Sequence, residues 1–383
     1  MRQVIKVYFI VVLFVIYISC KKDIEITKER TEDEILAQYF NKDFANFNYA
    51  NQALPSFFNN QFVTIQNNTP STNPTTNWGA LLGRVLFYDK FLSINNTIAC
   101  ASCHKQEFGF TDTAQFSAGF NGGFTKRHSM SLINAKYYIN GRFFWDERAA
   151  TLEDQVLQPI QDAVEMGMDL KNLELKLRKT MYYPILFKRA FGDTVISSVR
   201  ISKALAQFVR SIISYQSKYD EGRNQVANRE VDFPNYTAEE NIGKNIFLQN
   251  NKVNCFGCHN TDVFVLDNAR NNGIKLNNID SGIYVHTKMN TDLGKFKTSS
   301  LKNIGLRKRY MHDGSIIGLD QVINHYNFNI LQNPNLDSHL KNGTGDPIQM
   351  NLLPQEINAL KAFLETLTDY KLIKDEKYKN PFK

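Results

Sequence analysis

Two short cysteine motifs constrain this chain more than anything else in it: Cys100-Ala-Ser-Cys103-His104 in the first half and Cys255-Phe-Gly-Cys258-His259 in the second. The chain has five cysteines, and every one beyond Cys20 belongs to these motifs. An even set of thiols in an exported chain would suggest disulfides, but that leaves the two adjoining histidines unexplained. A zinc site wants four ligands converging, for instance both cysteine pairs together, with each histidine present by coincidence. Haem accounts for all three residue types at once. Two thiols separated by two residues can each form a thioether to one vinyl group, and the next residue then lies under the iron, where imidazole is a strong axial ligand. Cys100, Cys103, Cys255 and Cys258 are therefore expected to hold two covalent haem c groups, with His104 and His259 on the irons.

The far side of each iron decides what it does. Six protein ligands make an electron carrier, whereas an open position admits peroxide or oxygen. The candidates are His128, His286, His312, His325 and His339, with eight methionines and seventeen tyrosines. The residues alone do not choose among them.

The N-terminus reads as an address. Arg2 and Lys6 lead into an apolar run over residues 7–18 that ends at Ser19-Cys20, the pattern of a secretory signal over residues 1–19. The run is short for a bilayer span and is followed by Lys21, Lys22 and Asp23. Cys20 stands where a bacterial lipoprotein signal places its lipidated cysteine. The expectation is a membrane-anchored lipoprotein of the periplasm. Forty-five basic against 38 acidic residues, a formal +7, is too mild and too evenly spread for a nucleic-acid partner. Some positive surface would still help an acidic electron-donor protein to dock.

The pattern between the motifs is helical. Thr31-x-x-Glu34 and Thr237-x-x-Glu240 are capping boxes, and Thr151 is an N-cap for a helix that stops before Pro159. A short apolar helix over residues 78–89 leads to the first motif. Ile201, Leu205, Phe208, Val209 and Ile212 mark an amphipathic helix. A last helix starts near Pro354 with Ile357, Leu360, Phe363, Leu364 and Leu367 as its stripe. Residues 59–77 look like an extended loop and 217–235 like a linker. Alternation is scarce, so few strands are expected in an all-α chain whose two halves look like two versions of one unit.

Flanking residues carry a resemblance. Leu82-Gly-Arg-Val-Leu-Phe-Tyr-Asp89, Ile98-Ala-Cys-Ala-Ser-Cys-His104, Phe108-Gly-Phe-Thr-Asp112, Phe144-Trp-Asp-Glu-Arg-Ala-Ala150, Leu152-Glu-Asp-Gln155 and Val164-Glu-Met-Gly167 resemble the first half of the bacterial dihaem cytochrome c peroxidases. Phe296-Lys-Thr-Ser-Ser-Leu-Lys-Asn303 and Tyr310-Met-His-Asp-Gly314 resemble the segments after their second haem. The resemblance runs over residues 78–370. It implies two class I cytochrome c-like domains, at 78–225 with the peroxidatic haem and 226–383 with the electron-transfer haem, after a lipidated N-terminus with a short helix and loop at 20–77.

The resemblance also assigns residues. Trp145 matches the tryptophan between the haems, and Glu165 the acid–base residue over the first haem. His312 belongs to a family signature and reads as packing at a haem edge. Tyr326 stands where the methionine-ligated peroxidases have the sixth ligand of the electron-accepting haem, which is similar to the MauG-like branch. The loop at 105–127 lacks the removable histidine of many members, so the first haem is expected open without prior reduction, with His128 as a possible ligand. His128 also replaces an asparagine at the interhaem calcium site. Imidazole is a poor ligand for a hard cation, which puts calcium in doubt, although carbonyls at 307–309 could contribute. The function implied is reduction of hydrogen peroxide to water, with electrons from a small soluble cytochrome c or a cupredoxin. The alternatives are MauG-like oxidation of protein side chains and a non-enzymatic dihaem electron-transfer cytochrome.

Overall fold

The computed structural model describes residues 30–248, 255–266, 268–276 and 279–383; the expected signal at 1–19 and Cys20 lie outside the described residues. The described part is mostly helical. Its strands are two-residue pieces in two antiparallel ribbons, Ala269–Arg270 with Phe296–Lys297 and Arg309–Tyr310 with Ile316–Ile317. Among the described residues no helix is long and apolar enough to cross a membrane.

One packing device appears in both halves. Helix α1 (Asn77–Tyr88) is capped by Thr76, whose Oγ1 accepts from Gly79 N at 3.0 Å, and nearly all of its residues are buried. It crosses α2 (Ser198–Ser211), whose Ile201, Leu205, Phe208 and Val209 are at most 3% exposed. At the crossing lies Gly83, where a Cβ would stand 2.0 Å from the Ala204 carbonyl oxygen. In the second half α3 (Ala238–Leu248) starts with the expected reciprocal bonds, Thr237 N to Glu240 Oε2 at 2.7 Å and Glu240 N to Thr237 Oγ1 at 3.1 Å. It crosses α5 (Pro354–Glu365) at Gly243, where a Cβ would stand 1.8 Å from the Ala359 carbonyl oxygen. α4 (Leu319–Phe328) packs beside α5. A glycine at each crossing lets the backbones approach more closely than any side chain allows. Each such pair holds one cysteine motif at its end.

The halves are more interwoven than a boundary near 225 implies. Residues 217–235, expected as a linker, contain the helix Lys218–Arg223, with Tyr219, Asp220 and Phe233 buried in the second core. The polar residues there are partners in buried ion pairs. Lys302 Nζ lies 2.5 Å from Asp220 Oδ1 with both side chains at most 1% exposed, and Arg223 Nε lies 3.1 Å from Asp262. The stretch at 59–77 also folds back. Gln61–Thr64 forms a helical turn, and Phe57, Phe58 and Val63 pack on Tyr137, Tyr138, Ile213, Val263 and Val265. The chain after α5 returns to the first core with Leu372 and Tyr378. There it satisfies the buried Arg84, whose Nε donates to Lys379 O at 2.6 Å and Nη2 to Glu376 O at 2.8 Å. Partners that distant in sequence leave no local signal.

Candidate functional site

Each cysteine motif forms a single helical turn, Cys100–Cys103 and Cys255–Cys258, closed by the following histidine. His104 N donates to Cys100 O at 3.0 Å and His259 N to Cys255 O at 2.9 Å. One turn puts both thiols on one side of the helix and the imidazole just past its end. Ser102 braces the first turn by accepting from Ala99 N at 3.0 Å. The backbone then reverses through Gly109 and Phe110 at φ +70° and +56°, which brings the Phe110 carbonyl 3.0 Å from His104 Nδ1. That bond orients the ring and leaves Nε2 for another partner. In the second half Thr261 and Phe264 take the same left-handed backbone, while the buried Nδ1 of His259 makes no hydrogen bond among the described residues.

The motifs face separate cavities. The first, about 760 Å³, is lined by Cys103, His104, Trp145, Arg148 and Glu165. The second, about 200 Å³, is lined by Cys255, Cys258, His259, Met311 and Tyr326. The four thiols thus do not converge, which removes the four-cysteine zinc arrangement. Burial pushes Cys100 and Cys255 up to about 12 and Cys103 and Cys258 to about 11, so all four are held as thiols rather than thiolates. Burial holds His104 below the usual range and His259 down at about 4. Both are neutral imidazoles, the ligating form.

A shared wall divides the cavities: His128, Ser129, Met130, Ser131, Trp145, Lys297 and Ser299 line both. Trp145 is fixed at two points. Its Nε1 donates to His128 O at 2.8 Å, and its own carbonyl accepts from Lys297 N at 2.8 Å. The His128 ring is turned toward the loop, with Nδ1 3.1 Å from Ala114 O and Nε2 3.4 Å from Thr111 Oγ1. His312 stacks on Phe296 with centroids 3.6 Å apart.

Glu165 sits in a turn organised by Asp162, whose Oδ1 accepts from Val164 N and Glu165 N. The loop after the first motif closes over it. Phe120 N donates to Glu165 O at 3.1 Å, and a Cβ at Gly119 would stand 1.7 Å from Val164 O. Burial, reinforced by the Asp162 carboxylate and opposed by Arg148, pushes Glu165 up to about 7. That loop is tied to the other half of the molecule by Arg127, 2.7 Å from Asp280, and by Gln115 Nε2 donating to Asp313 O at 2.9 Å, while Arg127 also binds Asp146 of its own half at 2.6 Å. In the second cavity Asn272 Nδ2 is 3.4 Å from the Tyr326 hydroxyl and 3.2 Å from Met311 Sδ. Burial pushes Tyr326 up to about 12, so a phenolate there needs a cation to offset it.

The matching family model is that of the di-haem cytochrome c peroxidases, over residues 78–227. A methylamine utilization protein MauG of Methylophilus methylotrophus is 33% identical over 298 residues, 78% of this chain and 84% of the relative. The chain belongs to the di-haem cytochrome c peroxidase family. Cytochrome c551 peroxidase of Nitrosomonas europaea is 29% identical, covering 76% of this chain and 82% of its own. A crystal structure of a MauG-like protein associated with microbial copper homeostasis superposes with a TM-score of 0.71 at 32% identity, over 82% of this chain and 95% of that one. This chain is an oxidoreductase of the peroxidase type, from a family that carries two haem groups. Its residues fit such groups: two paired-thiol turns, each with a neutral imidazole, each at its own cavity.

Sequence reasoning passed over two groups that the structure places here, Lys297 and Asp337, whereas His339 was among the candidate histidines. Lys297 lies within a quoted family segment, but nothing local marks it as buried. Asp337 and His339, 2.7 Å apart, stand with Cys258 within 4.8 Å at the edge of the second cavity. They come from a loop far from either motif.

Proposed function

We propose that this enzyme reduces hydrogen peroxide to two waters in the first cavity, consuming two electrons and two protons, with a small cytochrome c or a cupredoxin as electron donor. In this reading Cys100 and Cys103 hold one haem and Cys255 and Cys258 the other, in cytochrome c-like domains at 78–225 and 226–383. His104 and His259 would hold the two irons, and Tyr326 would also hold the second. Bound haem supplies the one-electron steps and the electron density for breaking the O–O bond.

The observation that carries the proposal is a carboxyl group titrating near neutrality in the cavity of the first motif. As the carboxylate, Glu165 takes the proton from the inner peroxide oxygen. As the acid, it returns that proton to the outer oxygen, which leaves as water. Trp145 spans the wall and conducts between the halves. The loop at 105–127 supplies no histidine, which would leave the first iron free to take peroxide at rest. Cys20, lipidated, anchors the enzyme at a membrane facing the periplasm.

A second reading, oxidation of side chains on a partner protein, is favoured by Tyr326 and by the MauG-named relative. Mixing holoprotein with peroxide and reduced cytochrome c separates the two. Sustained oxidation of the cytochrome supports the peroxidase. A single burst without turnover overturns it in favour of side-chain oxidation. Failure of both irons to bind cyanide or carbon monoxide leaves an electron carrier only.

A further inference from the structure

Beside Trp145 lies a buried group for which the steps above have no use. Tyr138, Glu147 and Lys297 are 1%, 5% and 9% exposed. The Tyr138 hydroxyl donates to Glu147 Oε1. Lys297 Nζ stands 3.7 Å from the centroid of the Tyr138 ring and 4.5 Å from that of Phe143, and donates to Arg142 O at 2.6 Å. Tyr138 and Lys297 line the first cavity, Lys297 also lines the second, and its backbone N–H holds the Trp145 carbonyl.

The loop that delivers Glu147 is built under strain. Phe144 and Glu147 have φ of +69° and +55°, left-handed conformations that residues with a side chain avoid. A bridge between Phe143 and Ala149 and the bond from Arg142 Nε to Glu147 O at 2.8 Å hold it there. The outcome is a carboxyl group aimed into the core at a phenol. Burial raises Glu147 above the usual carboxylate range, which makes it a stronger base toward that phenol. A phenol gives up an electron far more readily when its proton leaves in the same step, and a hydrogen-bonded carboxylate is the acceptor this requires.

We propose that Tyr138 is a proton-coupled one-electron donor at the first cavity, with Glu147 as the base that takes its proton and Lys297 as the residue that fixes its ring in the cavity lining it shares with Trp145. The step balances. Tyr138–OH and Glu147–COO⁻ become the neutral phenoxyl radical and Glu147–COOH. The electron passes to the centre that peroxide has oxidised, and an electron from the protein donor with the proton from Glu147 restores the phenol. The inference rests on the peroxide reading above, since peroxide is the oxidant.

The test uses holoprotein carrying ring-deuterated tyrosine, mixed with peroxide without donor, freeze-quenched and read by electron paramagnetic resonance. A radical signal that narrows on deuteration is expected, reduced by about tenfold or more in both Tyr138→Phe and Glu147→Gln. Glu147→Gln keeps an acceptor for the hydroxyl but removes the base, which a packing role would tolerate. If one variant fails to mature, the other decides together with the labelled parent. A signal indifferent to labelling, or one within about twofold of the parent in a matured variant, overturns the proposal. Peroxide consumption is followed in the same samples. Consumption without a labelled radical overturns this inference alone, whereas no consumption overturns the peroxide reading as well.

Discussion

Glu165 allows the sharpest quantitative test. With its carboxyl pushed up to about 7, it is half carboxylate at pH 7. The base fraction then falls to about one tenth at pH 6 and about one hundredth at pH 5, and rises to about nine tenths at pH 8. If the carboxylate takes the first proton from peroxide, kcat/KM for peroxide drops about 90-fold from pH 8 to pH 5. Glu165→Gln removes the limb and lowers the rate by roughly 10²–10⁴. Burial also pushes the Lys297 ammonium down from the usual lysine range, so the limb alone does not assign the group. Its neighbours do. The Asp162 charge raises Glu165, and Asp162 Oδ1 accepts from Val164 N and Glu165 N. Asp162→Asn can keep that oxygen while losing the charge, and should move the limb to lower pH. Arg148→Gln removes an opposing cation and should move it higher. Stopped-flow turnover with reduced cytochrome c measures all four proteins. A profile flat from pH 5 to pH 8, or a limb that neither neighbour moves, would refute the assignment.

Other perturbations probe other parts of the molecule. Lys302→Met strands Asp220 in a site where both side chains are at most 1% exposed, and should destabilise the protein by about 3–5 kcal/mol; an unchanged urea midpoint would show that the pair is not what holds the helix Lys218–Arg223 in the core. If Tyr326 holds the second iron as proposed, Tyr326→Met exchanges a hard anionic ligand for a soft neutral one and should raise the potential of the second haem, with a methionine-to-iron charge-transfer band appearing in the oxidised protein. The same potential before and after, by spectroelectrochemistry, would remove Tyr326 from the iron. Replacing Cys255 and Cys258 together by alanine should leave one covalent haem per chain by pyridine haemochrome. Two would mean that the second motif does not hold the group.

The candidate site was legible to the extent that its chemistry is local. Two thiols and an imidazole at fixed spacing need one helical turn, so five consecutive residues state the whole requirement, and they do so twice. Caps are equally local: Thr31, Thr151 and Thr237 each bond to a backbone N–H three residues on. Trp145, Glu165 and Tyr326 were reached only through resemblance, because a tryptophan, a glutamate or a tyrosine in a helical chain has no spacing of its own to mark it.

The amino-acid order by itself determined a mostly helical chain with two cysteine motifs, each following a helix, because hydrogen bonds within a turn and thioether spacing are settled over a few residues. Only the tertiary structure decided that Tyr219, Asp220 and Phe233 are core, that the tail satisfies Arg84, and that burial raises Glu165 to about 7 and lowers Lys297. Burial and ion pairing depend on which distant segments meet. That is set by packing across the chain, with no trace in the residues beside each group.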